Sequence, residues 1–415
     1  VSRLLAAVTL VLLLLALAAA LAVVVPWTPL AGADVRPDPS LDFTAAEQAR
    51  EVAFHGAVRP PAYLSLVMGL VVAVALALTP LGARLVTAVA RPLGGGWVWQ
   101  VLLGALALTV VGRLVTLPLG ARVEGVRREY GLSTRTWAGW AVDVGKGVLV
   151  AAVLSALLVL VVVALARRAP QTWWAWAAGA VAALVVVVSF AYPVVVEPVF
   201  NRFSPLPAGE LRDDLLALAA ADGVPVDDVL VADASRRTTA LNAYVSGFSG
   251  TRRIVVYDTL LQAPPDEVAL VVAHELGHAQ ERDVLVGTLL GALGAAAAVC
   301  ALFLVLSWAP LLGRSGATGA GDPRVVPLLL ALVAVGGLLV GPLSNLVSRR
   351  IETRADVHAL ELTRAPEVFV ETQKRLARTN LSDLDPHPVA YALFATHPST
   401  TERIALAREW ERLRG

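Results

Sequence analysis

Two histidines four residues apart, His274 and His278, stand with Glu275 directly after the first. On an α-helix, residues i and i+4 lie one above the other on a single face, so both imidazoles can reach one cation. The order H-E-x-x-H is the pattern by which such a helix holds Zn²⁺ and keeps a carboxylate beside it as general base for a coordinated water. The flanking residues favour a helix. Pro264 and Pro265 followed by Asp266 and Glu267 read as its start, with acidic side chains at the positive end of the dipole. Leu270, Val271 and Val272 supply apolar surface, and Gly277 permits close approach of a backbone or a substrate. The chain has only six histidines, so two satisfied core histidines at this spacing are the weaker reading.

A catalytic zinc ion requires a third protein ligand and an open position. A candidate stands downstream in Ser348-Arg349-Arg350-Ile351-Glu352-Thr353-Arg354-Ala355-Asp356. Glu352 and Asp356 share a helix face, so Glu352 can bind the metal while Asp356 hydrogen-bonds a ligand histidine from behind. Spacing alone is equally compatible with a solvated helix surface, given Arg349, Arg350 and Arg354.

These groups must be positioned by a chain of 415 residues that is 57% hydrophobic and 16% charged. Its mean hydropathy is +0.69. That is the composition of a multi-pass α-helical membrane protein, mainly α. The net charge of +1 implies no general attraction to nucleic acid. Arginine far outnumbers lysine and Ala, Val and Leu dominate, a bias that points to GC-rich bacterial coding and a bacterial plasma membrane. The single Cys300 excludes an internal disulfide and a cysteine-based zinc site.

Leu4–Val25 is long enough to span a bilayer, and Pro26-Trp27 reads as its interfacial end; a signal peptide is the alternative. A polar loop is expected to about Pro61. Further apolar segments run over 63–89, 97–117, 143–165 and 174–196, with Arg167, Arg168, Trp173, Trp174 and Trp176 marking an interface. Residues 1–196 thus form a membrane region of five expected helices. Residues 197–283 read as a soluble insert leading into the motif helix, with an amphipathic helix over 210–222. Short strands are expected at 229–231 and 253–257, around a loop containing Ser246 to Gly250. Two more spans, about 284–309 and 325–346, fill 284–346, and 347–415 is a helical C-terminal part carrying Glu352. An N-terminus outside the membrane would place the metal site on the cytoplasmic side. Arg122, Arg127, Arg128 and Arg135 favour that orientation, while Arg84, Arg91, Arg167 and Arg168 oppose it.

Several ordered stretches resemble the CAAX prenyl protease 1 family of membrane zinc metallopeptidases. They are Arg128–Thr136 with Asp143 and Lys146, Glu197–Leu206, Leu241-Asn242-Ala243-Tyr244, Arg253–Val255 and Asp258–Leu261. The H-E-L-G-H motif, Ser348–Asp356, and Thr396-His397-Pro398-Ser399 with Glu402-Arg403 complete the set, which covers about 110–410. The resemblance implies one Zn²⁺ per chain held by His274, His278 and Glu352, and a zincin-like domain with a short β-hairpin or sheet. It also implies about seven transmembrane helices around a chamber, which would account for Arg113, Asp143 and Lys146 close to membrane segments. By the same likeness, Asp356 orients a ligand histidine. Asn242, Ala243 and Tyr244 bind substrate backbone as an added strand. His397 stabilises the oxyanion, with Arg403 supporting it.

The expected activity is hydrolysis of peptide bonds by metal-activated water, in proteins that are membrane-associated or misfolded. A zinc-binding membrane scaffold or chaperone without proteolysis is the competing class. An intramembrane protease fits poorly, because Pro264–Glu267 and Gln280–Asp283 are too polar to lie inside a bilayer. A transporter explains the spans but not the histidines. His55, His358 and His387 have no evident spacing to the motif. Oligomeric state and cleavage preference are not legible in the sequence.

Overall fold

The computed structural model describes residues 1–247 and 252–414. Seven of its helices are long and apolar enough to cross a membrane, with mean hydropathies between 1.9 and 3.3. They are α1 (Ser2–Val24), α2 (Ala45–Leu78), α4 (Trp97–Glu129), α5 (Trp137–Arg168), α6 (Trp173–Ala191), α10 (Asp283–Leu306) and α12 (Val326–Thr363). Their sides are largely exposed, as the lipid-facing surface of a bundle must be: none of the apolar window of α1 is buried. Inside the bundle, Val86, Val101, Val159, Val163, Phe303 and Leu328 form a closed apolar core.

Two of the expected boundaries move. The polar loop after α1 ends at Thr44 rather than near Pro61, because α2 begins at Ala45. Thr44 and Glu47 form a reciprocal capping box: Thr44 N–H donates to Glu47 Oε2 at 2.7 Å, and Glu47 N–H donates to Thr44 Oγ1 at 3.3 Å. Phe54 then packs with Val126 and Leu381. This anchoring carries the helix through Pro60 and Pro61, which would otherwise break it. The apolar segment expected over 63–89 divides at Thr79, whose extended backbone precedes Pro80 at the first position of α3 (Pro80–Ala90).

After α6 the chain passes through a π-helical turn at Tyr192–Val196 and a short α7 (Glu197–Phe200) into a mixed sheet. The strands are β1 (Phe203–Pro205), β2 (Asp228–Ala232), β3 (Ala243–Ser246) and β4 (Arg253–Tyr257), in the order β1-β2-β4-β3. The two strands read from the sequence, β2 and β4, are parallel neighbours, with Val229 opposite Ile254. β3 runs antiparallel to β4 with Ala243 opposite Val256 and forms one edge. Phe248, Ser249 and Gly250 of the expected loop between β3 and β4 lie outside the described residues.

The motif helix α9 (Pro265–Gln280) is held on two faces. Val268, Val272 and Leu276, each four apart, bury against the sheet and α8 (Glu210–Ala221), beside Leu215, Val229 and Ile254. Leu270 and Ala273 face the other way, onto Leu360 of α12, Phe369 of α13 (Pro366–Asn380) and Trp410 of α15 (Thr400–Arg414). Each buried Val or Leu contributes about 1.5–3 kcal/mol, so the helix is fixed in rotation. The third face carries His274, Glu275 and His278.

α12 continues unbroken for 38 residues, so the division expected at 346/347 falls inside one helix. Its start packs on Gly82 of α3, where a Cβ would lie 2.4 Å from the Leu76 carbonyl oxygen and 2.8 Å from Pro327. Gly82→Ala is therefore expected to destabilise the bundle by about 1–3 kcal/mol, read as a lowered midpoint of thermal unfolding in detergent. An unchanged midpoint would show that the α3–α12 contact relaxes freely.

Candidate metal centre

α9 starts as its sequence dictates, with Pro265 at the first helical position and Asp266 and Glu267 in the first turn. Glu267 is buried and receives two hydrogen bonds from Arg375 of α13, at 2.6 and 3.0 Å, which ties the two helices together. At its other end the chain turns sharply, because Arg282 adopts a left-handed backbone (φ 57°). That turn starts α10 and folds Asp283 back beside the second histidine.

His274 Nε2 lies 3.2 Å from Glu352 Oε2 and 3.3 Å from His278 Nε2, and His278 Nε2 lies 3.6 Å from Glu352 Oε1. The three ligand atoms fall within 4.8 Å of one another, the single such group of His, Cys, Asp and Glu among the described residues. Both Nδ1 atoms point outward into carboxylates. His274 Nδ1 is 2.9 Å from Asp356 Oδ1, and His278 Nδ1 is 2.9 Å from Asp283 Oδ2. Each carboxylate accepts the Nδ1 proton and leaves the Nε2 lone pair facing inward. Two such lone pairs and a carboxylate oxygen repel one another, and a cation at their focus turns that repulsion into coordination. The donor set therefore fits a divalent metal.

The outer carboxylates are themselves held. Asp356 is completely buried, and its Oδ2 accepts from Arg403 Nε at 2.8 Å. Asp283 is paired with Arg354 of α12. The resulting field favours positive charge at the imidazoles. Burial resists protonation of His278, but the Asp283 and Glu352 carboxylates outweigh it and push the group up to about 10. Burial likewise opposes a charged His274, yet Asp356 and Glu352 raise it. Glu275 is pushed up by burial, with His274 and His278 working against the rise. A glutamate so raised is a stronger proton acceptor than a solvated one.

Glu275 lines a cavity of about 560 Å³ together with His274, Asn242, His397, Tyr391 and Arg403. His397 Nε2 stands 3.3 Å from Glu352 Oε2, its side chain 58% exposed to that cleft. Of the three residues expected to bind substrate backbone, Asn242, which immediately precedes β3, lines the cavity. Ala243 is buried in the sheet core, and Tyr244 turns away to donate to Glu197 at 3.1 Å. Arg403 bonds Asp356, and among the described residues no bond joins it to His397.

Asp283 and Arg354 escaped the sequence reading as parts of the site. Asp283 stands five residues beyond His278, past the helix end, and helical periodicity cannot place a residue across a left-handed turn. The other histidines have local partners: His358 Nε2 is 3.0 Å from Asp222, His55 Nε2 is 2.9 Å from the Leu381 carbonyl oxygen, and His387 accepts from Val389 N–H at 3.3 Å.

Residues 205–411 match the model of peptidase family M48, and residues 62–202 match the one described as CAAX prenyl protease N-terminal, five membrane helices. The uncharacterized metalloprotease YhfN of Bacillus subtilis is 36% identical, over 73% of this chain and 72% of its own. A CAAX prenyl protease 1 homolog from Oryza sativa subsp. japonica is 31% identical, over 68% of this chain and 66% of its own. The crystal structure of S. mikatae Ste24p matches with a TM-score of 0.77, covering 97% of this chain and 98% of that one at 20% identity, a likeness of fold. Sharing more than a third of its aligned residues with a bacterial metalloprotease over nearly three quarters of its length, the chain belongs to peptidase family M48 and is an integral-membrane metallopeptidase.

Proposed function

We propose that the chain is a zinc endopeptidase whose metal is held by His274, His278 and Glu352 and whose general base is Glu275. The observation that carries this reading is the convergence of the three ligand atoms within 4.8 Å on the wall of the cleft that Glu275 also lines. Two imidazoles and one carboxylate suit zinc in tetrahedral coordination, and three protein ligands are the catalytic rather than the structural pattern. That count favours catalysis over a scaffold role.

Bound zinc supplies Lewis acidity, which lowers the pKa of a coordinated water and polarises a peptide carbonyl. The protein's groups do the rest. Glu275 takes the proton from the attacking water at its carboxylate and passes it to the departing amine. His397 offers an N–H donor to the developing oxyanion. Asp356 and Asp283 keep the ligand imidazoles in one tautomer, and Arg403 fixes Asp356. Asn242, immediately before β3, holds an extended substrate backbone beside the metal.

The substrates are proposed to be membrane-associated or misfolded proteins, since the cleft sits at one end of a membrane bundle. The plant relative's name carries prenylated tails as a possible substrate, but the compositional bias points to a bacterial plasma membrane, where this reading does not require them. The orientation proposed places the metal site in the cytoplasm. The insert 197–283 and the part 347–415 then act together as the catalytic unit on the membrane regions 1–196 and 284–346.

In detergent-purified protein, Glu275→Gln is expected to keep stoichiometric zinc and to lower casein hydrolysis by at least about 100-fold. Glu352→Ala should lose metal, and chelation of the wild type should abolish activity that zinc restores. Undiminished cleavage by metal-loaded Glu275→Gln would remove that residue from the mechanism. Asp283→Asn should weaken zinc affinity by about 10–100-fold. Wild-type affinity in that variant, measured by competition with a chromogenic chelator, would show that His278 needs no orienting partner.

A further inference from the structure

The stripe of α12 that delivers Glu352 also carries Asn345 and Arg349, at i, i+4 and i+7 on one helix face. Both reach the same short helix, α14 (Pro388–Phe394), which precedes the loop bearing His397. The last carbonyls of a helix have no partners inside it, and here α12 side chains supply them. Asn345 Nδ2 donates to the carbonyl oxygens of Ala392 and Leu393, at 3.2 and 2.7 Å. Arg349 Nη1 donates to those of Tyr391 and Ala395, at 3.2 and 2.6 Å. The Arg349 guanidinium also lies 4.4 Å above the ring of Tyr391.

Tyr391 extends the clamp to the far side of the loop. Its hydroxyl donates to Glu402 Oε2, and the same oxygen accepts from Ser399 N–H at 2.7 Å. The loop from Ala395 to Ser399 is therefore tied at both ends to one network centred on Arg349 and Tyr391. His397 is its middle residue, exposed to the cleft, with its Nδ1 2.9 Å from Thr396 Oγ1 of the same loop.

We propose that Arg349 is a positioning residue for His397. Through the α14 carbonyls and Tyr391 it sets where the imidazole stands relative to the metal ligand three residues further along its own helix. The proposal rests on the reading of His397 as a donor to the oxyanion. The geometry distinguishes it from a general staple, because the clamp grips the two ends of one five-residue loop, and among the described residues none of its hydrogen bonds reaches α9 or the sheet.

The test uses Arg349→Met, Arg349→Lys, Tyr391→Phe, His397→Ala and the Arg349→Met/His397→Ala double variant of the full chain, assayed on labelled casein. Arg349→Met is expected to lower kcat by roughly tenfold or more with KM within about twofold and zinc content unchanged. Arg349→Lys, which keeps a donor but loses the planar stack, should fall between it and the wild type. On the His397→Ala background Arg349→Met should cost nothing further. In metal-free protein, amide exchange over 387–399 should quicken in Arg349→Met while 265–280 is unchanged. Should Arg349→Met fail to fold, Tyr391→Phe carries the same expectations. Additive losses in the double variant, or unchanged exchange over 387–399, would overturn the clamp. A full-rate His397→Ala would overturn the donor role and the clamp together, whereas a slow His397→Ala beside a full-rate Arg349→Met would overturn the clamp alone.

Discussion

Three electron-pair donors forced to face one another at 3.2 to 3.6 Å form the constraint around which this protein is arranged. Left to themselves, His274, His278 and Glu352 would rotate apart into water or share protons. The two imidazoles are held because each is gripped from behind: Asp356 and Asp283 fix them, while Arg403 and Arg354 fix those two carboxylates. Buried carboxylates are costly unless paired, so each pairing is also the condition for the next. The network ends in guanidinium groups on two different helices, α12 and α15, and that links the site to the fold beyond α9.

α9 is the shared wall of two cores. One face closes the sheet and α8, the other closes the C-terminal helices, and the chemistry occupies the narrow strip between them. Gly277 belongs to this arrangement. A Cβ there would lie 3.0 to 3.1 Å from the His358 ring on α12, so the glycine allows the helix that supplies the histidines to approach the helix that supplies the glutamate. Apolar burial sets the rotation of α9 and the missing side chain sets its distance.

Much of this was legible before any coordinates. His274, Glu275 and His278 declare themselves by a four-residue period, and the apolar runs declare the seven spans. The rest depended on contacts that cross the chain. Spacing alone leaves Glu352 equally compatible with a solvated helix surface; the resemblance makes it a ligand, and the packing of α12 against α9 brings it to the histidines. Asp283 lay hidden behind the positive φ of Arg282, and Arg349 behind carbonyl groups, which leave no trace in side-chain pattern. The helix through Pro60 and Pro61 contradicts local propensity, and a capping box and the buried Phe54 anchor it on the N-terminal side of the breaker. Arg403, expected to support His397, lines the same cavity and bonds Asp356, a link between two helices that spacing cannot express.

One feature of α12 reaches beyond the chemistry. At about 1.5 Å per residue its 38 residues extend about 57 Å, well past a hydrocarbon core of about 30 Å. One helix thus begins among lipid tails, passes through Pro342 and ends in the ligand sphere, whereas α9 is carried by the sheet. Helices adjust to bilayer thickness by tilting, and tilt at the buried end of a rod swings its free end. Glu352 therefore rides on a helix that the bilayer also holds, and the close contact of His358 with Gly277 is what ties the free end of that helix to α9.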